Sequence, residues 1–166
     1  MAPHNIENLE AWMQRMRDVG SRHSQNNEPG PGYAYQAFTT TKIVDADDDS
    51  VTFEYTVLKS DCTVMDTWHG GAIAGLIDNL TTSAVFTQKR KYFMYAGVSS
   101  DLHVSYVSTV PIGSVVLIEC NVIKVGAGLA NISAVVKDKA SGKVIATALH
   151  TRFNNDSQIA AIAAKM

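Results

Sequence analysis

The chain has 166 residues, the length of one ordinary domain that can bury a core without disulfide or metal staples. Hydrophobic residues make up 46% and charged residues 18%, a folding composition outside the disordered range, with the low charge that goes with surface buried between copies. A formal net charge of −2, with Lys89-Arg90-Lys91 as the one basic block, excludes the electrostatic footprint of a nucleic-acid binder.

Cys62 and Cys120 fit neither metal-ligand spacing nor a disulfide framework, which indicates a reducing compartment. No apolar run has the length of a membrane span, and the polar opening MAPHNIENLE does not read as a signal peptide. The expectation is a soluble, cytoplasmic protein. Ala164-Lys165-Met166 loosely resembles the peroxisomal address whose standard form is SKL, an alternative to the plain end of a short Ala-rich helix from Ile159.

In chain order, Ile6, Leu9, Trp12, Met13 and Met16 fall at helical spacing, predicting a helix over Asn5 to Val19 that Gly20 closes. Residues 21–35, rich in Asn, Pro and Gly, read as a linker. Two strands are predicted at about 37–44 and 51–58, joined by a solvated turn of acidic residues, Asp45-Ala46-Asp47-Asp48-Asp49. That turn lacks the glycine and closing glutamate of a calcium loop. Residues 59–68 read as irregular.

A long helix is then predicted from about Gly70 to Lys89. Ile73, Leu76, Ile77, Leu80 and Ala84 form one continuous stripe, and the other faces carry mostly small or weakly polar residues. A helix so poor in charge must be covered on most sides. Lys89-Arg90-Lys91 then suits its C-terminal dipole, with contact to a ligand phosphate as the other reading. Four strands follow, at about 98–109, 114–125, 129–138 and 143–153, with Gly126-Ala127-Gly128 and Ala140-Ser141-Gly142 as hairpin turns. The expected arrangement is an antiparallel meander. With no βαβ repeat the class is α+β, most economically one long central helix wrapped by a curved antiparallel sheet, with an added N-terminal helix. The chain divides into an N-terminal helix and linker (1–34), a main domain (35–153) and a C-terminal tail or short helix (154–166).

Chemistry gathers on the central helix. His69-Gly70-Gly71 opens it, and glycines there leave the first N–H groups open to a negative charge or a polarised carbonyl oxygen. On their own the two glycines fit a close steric approach equally well. Asp78 lies in the middle of this covered helix, where a carboxylate is either paired or kept for chemistry, and Thr81 and Thr82 one turn on can supply hydroxyl partners. Gly71 and Asp78 are seven residues apart, about 10 Å along one helix axis. A water activated by Asp78 must lie within about 3 Å of the carbon it attacks. If both residues act on one carbonyl, they belong to different subunits.

Ser99, on the polar side of the next strand with Asp101, lacks a nucleophile elbow and suits a hydrogen-bond partner for water or for Asp78; a plain outward polar residue fits the spacing as well. His69, His103 and His150 show no metal-ligand spacing, so neither a metal nor a cofactor is expected. His103 reads as a surface residue, and His150 faces the sheet interior or a cleft.

These residues together resemble the hotdog-fold acyl-CoA thioesterases, in particular the branch of phenylacetate-pathway-like proteins and mammalian thioesterase superfamily members. The resemblance spans about residues 35–153 and rests on an ordered set of motifs. These are His69-Gly70-Gly71, Leu76-Ile77-Asp78-Asn79, Gly97-Val98-Ser99 with Asp101, Ser105-Tyr106, and Ser141-Gly142-Lys143-Val144-Ile145-Ala146 with His150-Thr151-Arg152. It implies a hotdog fold that dimerises through a continuous sheet, commonly doubled to a tetramer. The Gly71 N–H would polarise a thioester carbonyl, Asp78 of the partner would act as base or nucleophile, and Ser99 would orient the water. His69, Gly70, Thr82, Asp101 and His150 would line the substrate.

One departure stands out. The branch carries Asn six residues before the His and Gly three further on, where this chain has Thr63 and Asp66. Thr63 keeps one hydroxyl donor for the carbonyl. Asp66 brings a negative charge toward a developing oxyanion unless it is neutralised, and losing one oxyanion donor costs on the order of 100-fold in rate. The expected function is hydrolysis of acyl-CoA or an acyl-carrier thioester. The alternatives are another hotdog-fold reaction on a carrier-bound chain, or a non-catalytic acyl-CoA-binding module.

Overall fold

Alternation of apolar and polar residues sets the sheet. In the computed structural model, which describes residues 4–25, 33–88 and 92–163, six strands form one antiparallel sheet. They are β1 (Lys42–Ala46), β2 (Ser50–Thr56), β3 (Val98–Tyr106), β4 (Val115–Val125), β5 (Leu129–Asp138) and β6 (Val144–Phe153), in the spatial order β1-β2-β4-β5-β6-β3. Val51, Phe53 and Tyr55 of β2, Val116, Ile118, Cys120 and Val122 of β4, and Ala130, Ile132, Ala134 and Val136 of β5 are buried at every second position. These inner faces pack on the central helix α3 (Gly70–Ala84).

The helix reads as its stripe demands: Ile73, Leu76, Ile77, Leu80 and Ala84 are buried. Its hydroxyl and amide residues are satisfied within the helix, Thr81 Oγ1 donating to Ile77 O at 2.7 Å, Ser83 Oγ to Asn79 O at 3.0 Å and Asn79 Nδ2 to Gly75 O at 2.7 Å. It stops at Ala84, and Val85–Thr87 continue as a single 3-10 turn, short of the predicted end at Lys89. Lys89, Arg90 and Lys91 lie outside the described residues.

Three expectations are corrected. The N-terminal helix α1 (His4–Gln25) runs through Gly20, since one glycine inside a helix costs only about 1 kcal/mol and does not by itself end it. Residues 37–40, predicted as strand, belong to a helix, α2 (Tyr33–Thr40), which crosses the boundary drawn at residues 34 and 35. The Thr-rich run has strand propensity, but Ala37 and Phe38 are buried with the core, Arg17 Nε donates to Phe38 O at 2.7 Å, and Thr41 Oγ1 donates to Ala37 O at 2.5 Å. Tertiary packing wins there.

The simple meander holds only for β4, β5 and β6. β3 does not neighbour β4; it crosses to the far edge and pairs with β6, while β4 pairs with β2. The connection over 107–114 is held on the opposite side of the molecule by Val57 N donating to Ser114 O at 2.9 Å and Gly113 N to Val57 O at 2.9 Å. A short helix, α4 (Asp156–Ala163), follows the last strand, and residues 164–166 lie outside the described residues. Leu9 and Met13 seat α1 in the core, and Trp12 stacks on Phe86 with ring centroids 4.2 Å apart. No helix among the described residues is long and apolar enough to cross a membrane.

Candidate active site

On β6 the inward positions after Ile145 are Ala146, Ala148, His150 and Arg152, so a hydrophobic alternation changes chemistry in its last four residues. On β3 a bulge between Ser99 and Asp101 gives the strand one extra residue. The register pairs Leu102 with His150 and Ser99 with Arg152, while Asp101 pairs with Thr151. Residues directly opposite on paired strands share a face, so the bulge turns Ser99 inward toward α3 and leaves Asp101 on the outer face. The sequence pattern had put Ser99 and Asp101 together; the structure separates them.

Asp78 projects from the middle of α3 into this corner with 39% of its side chain exposed. Ser99 Oγ donates to Asp78 Oδ1 at 2.7 Å. His150 Nε2 lies 3.2 Å from the same oxygen and Arg152 Nη1 3.5 Å from it. The His150 approach is close, but the buried Nε2 makes no hydrogen bond. Ser99, His150 and Arg152 thus converge on the same carboxylate oxygen, Oδ1.

His150 is fully buried, and its Nδ1 lies 2.6 Å from Thr81 Oγ1. Burial pushes its pKa down to about 4, Arg152 adds to that shift, and Asp78 and Asp101 oppose it. The ring is therefore neutral near pH 7. Burial also lowers the pKa of Arg152, and Asp78 opposes that shift. Arg152 was missed as a site residue in the sequence. The signal was there: a charged residue two positions after His150 shares its strand face and must be paired when buried.

Thr82, expected to touch substrate, is instead part of the support: its hydroxyl donates to Asp78 O at 2.6 Å and accepts from Arg152 Nη1. The start of α3 also differs from expectation. His69 is the N-cap, and Gly71 N–H donates to His69 Nδ1 at 2.9 Å, so that N–H is already engaged. Gly70 lies under the Tyr106 ring, whose hydroxyl donates to Gly70 O at 3.0 Å.

Thr63 is tied into its own loop, with Thr67 Oγ1 at 2.9 Å and Met65 N donating to Thr63 Oγ1 at 3.2 Å. Asp66 adopts φ 58°, the left-handed backbone that explains why glycine suits this position, and its carboxylate pairs with Lys59. Its charge is therefore paired at the surface, which weakens the objection to an oxyanion nearby. The structure thus gathers Asp78, Ser99, His150, Thr82 and Arg152 in one cluster. His69, Gly70 and Gly71 stand at the helix start, Thr63 sits in the loop before it, and Asp101 lies on the far face of the sheet.

Residues 65–145 match the family model described as Thioesterase superfamily. The chain is 34% identical over 110 residues to acyl-coenzyme A thioesterase 13 of Homo sapiens, covering 66% of this chain and 76% of that protein. The fold is similar to the crystal structure of zebra fish thioesterase superfamily member 2, with TM-score 0.72 and 28% identity over 88% of this chain and 97% of that one. It is also similar to thioesterase superfamily member 2 from Mus musculus, with TM-score 0.66 and 26% identity over 86% and 96% of the two chains. With this sequence likeness over three quarters of a relative's length, and a fold shared over almost the whole of two solved relatives, the chain belongs to the thioesterase superfamily.

Proposed function

We propose that this chain hydrolyses acyl-coenzyme A to the free acid and the thiol, with residues 35–153 as the catalytic unit. The observation that carries the reading is Asp78: a part-exposed carboxylate on a covered helix, with Oδ1 held by Ser99. A carboxylate so held can take a proton from water while the resulting hydroxide attacks the thioester carbon. A C–O bond forms, the tetrahedral oxyanion collapses, the C–S bond breaks, and the proton on Asp78 returns to the departing thiolate. The name of the 34%-identical human relative supplies the thioester class.

The carbonyl oxygen is polarised at the start of α3 in a second copy, where the substrate takes over the Gly71 N–H from His69. The distance of about 10 Å along α3 supports this sharing. β3 lies at the sheet edge with nine residues, a strand suited to pair with its copy in a homodimer, which can double to a tetramer. Two free cysteines fit a cytoplasmic setting, with the thioesterase acting in lipid metabolism.

Release of free thiol from a series of acyl-CoA esters tests the reading. Asp78→Asn is near-isosteric but cannot act as base, so kcat should fall by about 100-fold or more with an unchanged melting curve. Turnover above about a tenth of wild type in a folded Asp78→Asn protein would overturn the assignment.

A further inference from the structure

Arg152 makes a set of contacts that the hydrolytic reading leaves unused. Its Nε donates to Ala96 O at 2.8 Å and its Nη2 to Gly97 O at 2.7 Å, where two consecutive residues have φ 69° and 68°. Its Nη1 donates to Ser99 Oγ at 2.9 Å and also to Thr82 Oγ1. All three guanidinium nitrogens are thus engaged, on a side chain only 7% exposed. A guanidinium donates and never accepts. Ser99 must therefore accept from Arg152, and its single proton is directed to Asp78 Oδ1, 2.7 Å away. Thr82 is polarised in the same way, accepting from Arg152 and donating to Asp78 O at 2.6 Å.

We propose that Arg152 is a positioning residue for the hydrolytic step: it fixes the direction of the Ser99–Asp78 hydrogen bond, so that Oδ1 is held by the protein and the carboxylate keeps one orientation toward the attacking water. The proposal rests on the reading of Asp78 as the base. Without the guanidinium, the Ser99 hydroxyl is free to rotate toward other acceptors and the carboxylate loses the partner that holds its plane. The loss falls on the chemical step rather than on substrate capture, because Arg152 is buried behind Ser99 and Thr82.

The test is a double-mutant cycle on kcat and KM for acyl-CoA hydrolysis, with melting curves to confirm folding. Arg152→Met should lower kcat by about tenfold or more with KM changed less than about twofold, and Arg152→Met/Ser99→Ala should be no slower than the slower single variant. Multiplicative losses in the double variant, or a kcat near wild type for Arg152→Met, would overturn the proposal. Arg152→Met leaves the Ala96 and Gly97 carbonyls without their donor, at a cost in stability, so Arg152→Lys is made alongside. It keeps the charge but cannot span Ser99, Thr82 and both carbonyls. It should lose kcat by several-fold and show the same non-additivity with Ser99→Ala. Additive losses, or none, in that series would equally overturn the proposal. Asp78→Asn measured in parallel separates the two ideas. If it stays active the base assignment is wrong; if it is dead while Arg152 and Ser99 act independently, only the role of Arg152 is wrong.

Discussion

Gly71 gives its backbone N–H to His69 Nδ1 at 2.9 Å, and this bond ties the N-cap ring across the first turn of the helix that carries Asp78. A Cβ at residue 71 would lie 3.0 Å from that ring, so glycine at 71 has a steric reason as well as a chemical one. In the proposed mechanism the substrate carbonyl and the His69 ring compete for one donor. His69→Ala should therefore lose about 1 kcal/mol of stability with the cap, while kcat/KM stays within a few-fold of wild type. A loss of about 100-fold or more in a folded His69→Ala protein would show that the ring itself acts on the carbonyl.

The shared site can be read directly from mixed dimers. Asp78→Ala removes the base and Gly71→Val crowds the helix start, so each homodimer should be inactive. In a mixed dimer, one site pairs the intact Gly71 of one chain with the intact Asp78 of the other, and the second site carries both lesions. Co-expression with random pairing makes about half of the dimers mixed, so roughly a quarter of wild-type activity should return. Mixed dimers isolated with two different affinity tags and found inactive would mean that Gly71 and Asp78 do not meet across an interface.

The loop before His69 gives a third outcome. Asp66 sits at φ 58° with an exposed ion pair to Lys59, so Asp66→Gly should be neutral to stabilising by up to about 1 kcal/mol. Thr63→Asn adds a longer donor than the hydroxyl now tied to Thr67, and the double variant Thr63→Asn/Asp66→Gly should hold or raise kcat. A native-like melt with sharply lower kcat would show that this loop serves a different substrate geometry.

Acid should find His150 first. Its pKa in the fold is about 4 against 6.5 in a free histidine, so between these values the unfolded chain binds the proton and the fold does not. This group's contribution is therefore fully present above about pH 6.5 and is lost as pH falls toward 4, on the order of 3 kcal/mol over that window. Denaturant midpoints measured from pH 7 to pH 4 should fall less steeply for His150→Gln than for wild type. Parallel curves would show that the imidazole is solvated or already charged in the fold.

Much of this architecture could be read from residue order. The stripe from Ile73 to Ala84 and the strict alternation in β4 and β5 leave little freedom, because a slip of one residue would bury their polar side. Asp78 and His150 were legible for the same reason, as polar residues in positions that should be covered. The helix at Tyr33–Thr40 was not, because local strand propensity and tertiary burial of Ala37 and Phe38 point in opposite directions. Nor was the company that Ser99 keeps. A one-residue bulge reverses which side chains of β3 face the helix, and nothing in Gly97-Val98-Ser99-Ser100-Asp101 announces it. The closed Gly71 N–H was hidden because capping depends on the rotamer of His69.

Among the described residues β3 pairs with one strand, β6, which follows it in the chain by about 40 residues. Asp78 and Ser99 therefore leave the ribosome well before the segment that supplies His150 and Arg152, and before β3 has any strand to pair with. Until residues 144–153 are made and docked, the Ser99 edge is an open ladder with no guanidinium behind it. A chain stopped short near residue 143 would keep the helix and four consecutive partners in β1, β2, β4 and β5, yet leave β3 unmoored. Catalytic competence and closure of the sheet should therefore arrive together, once residues 144–153 are in place, as one event.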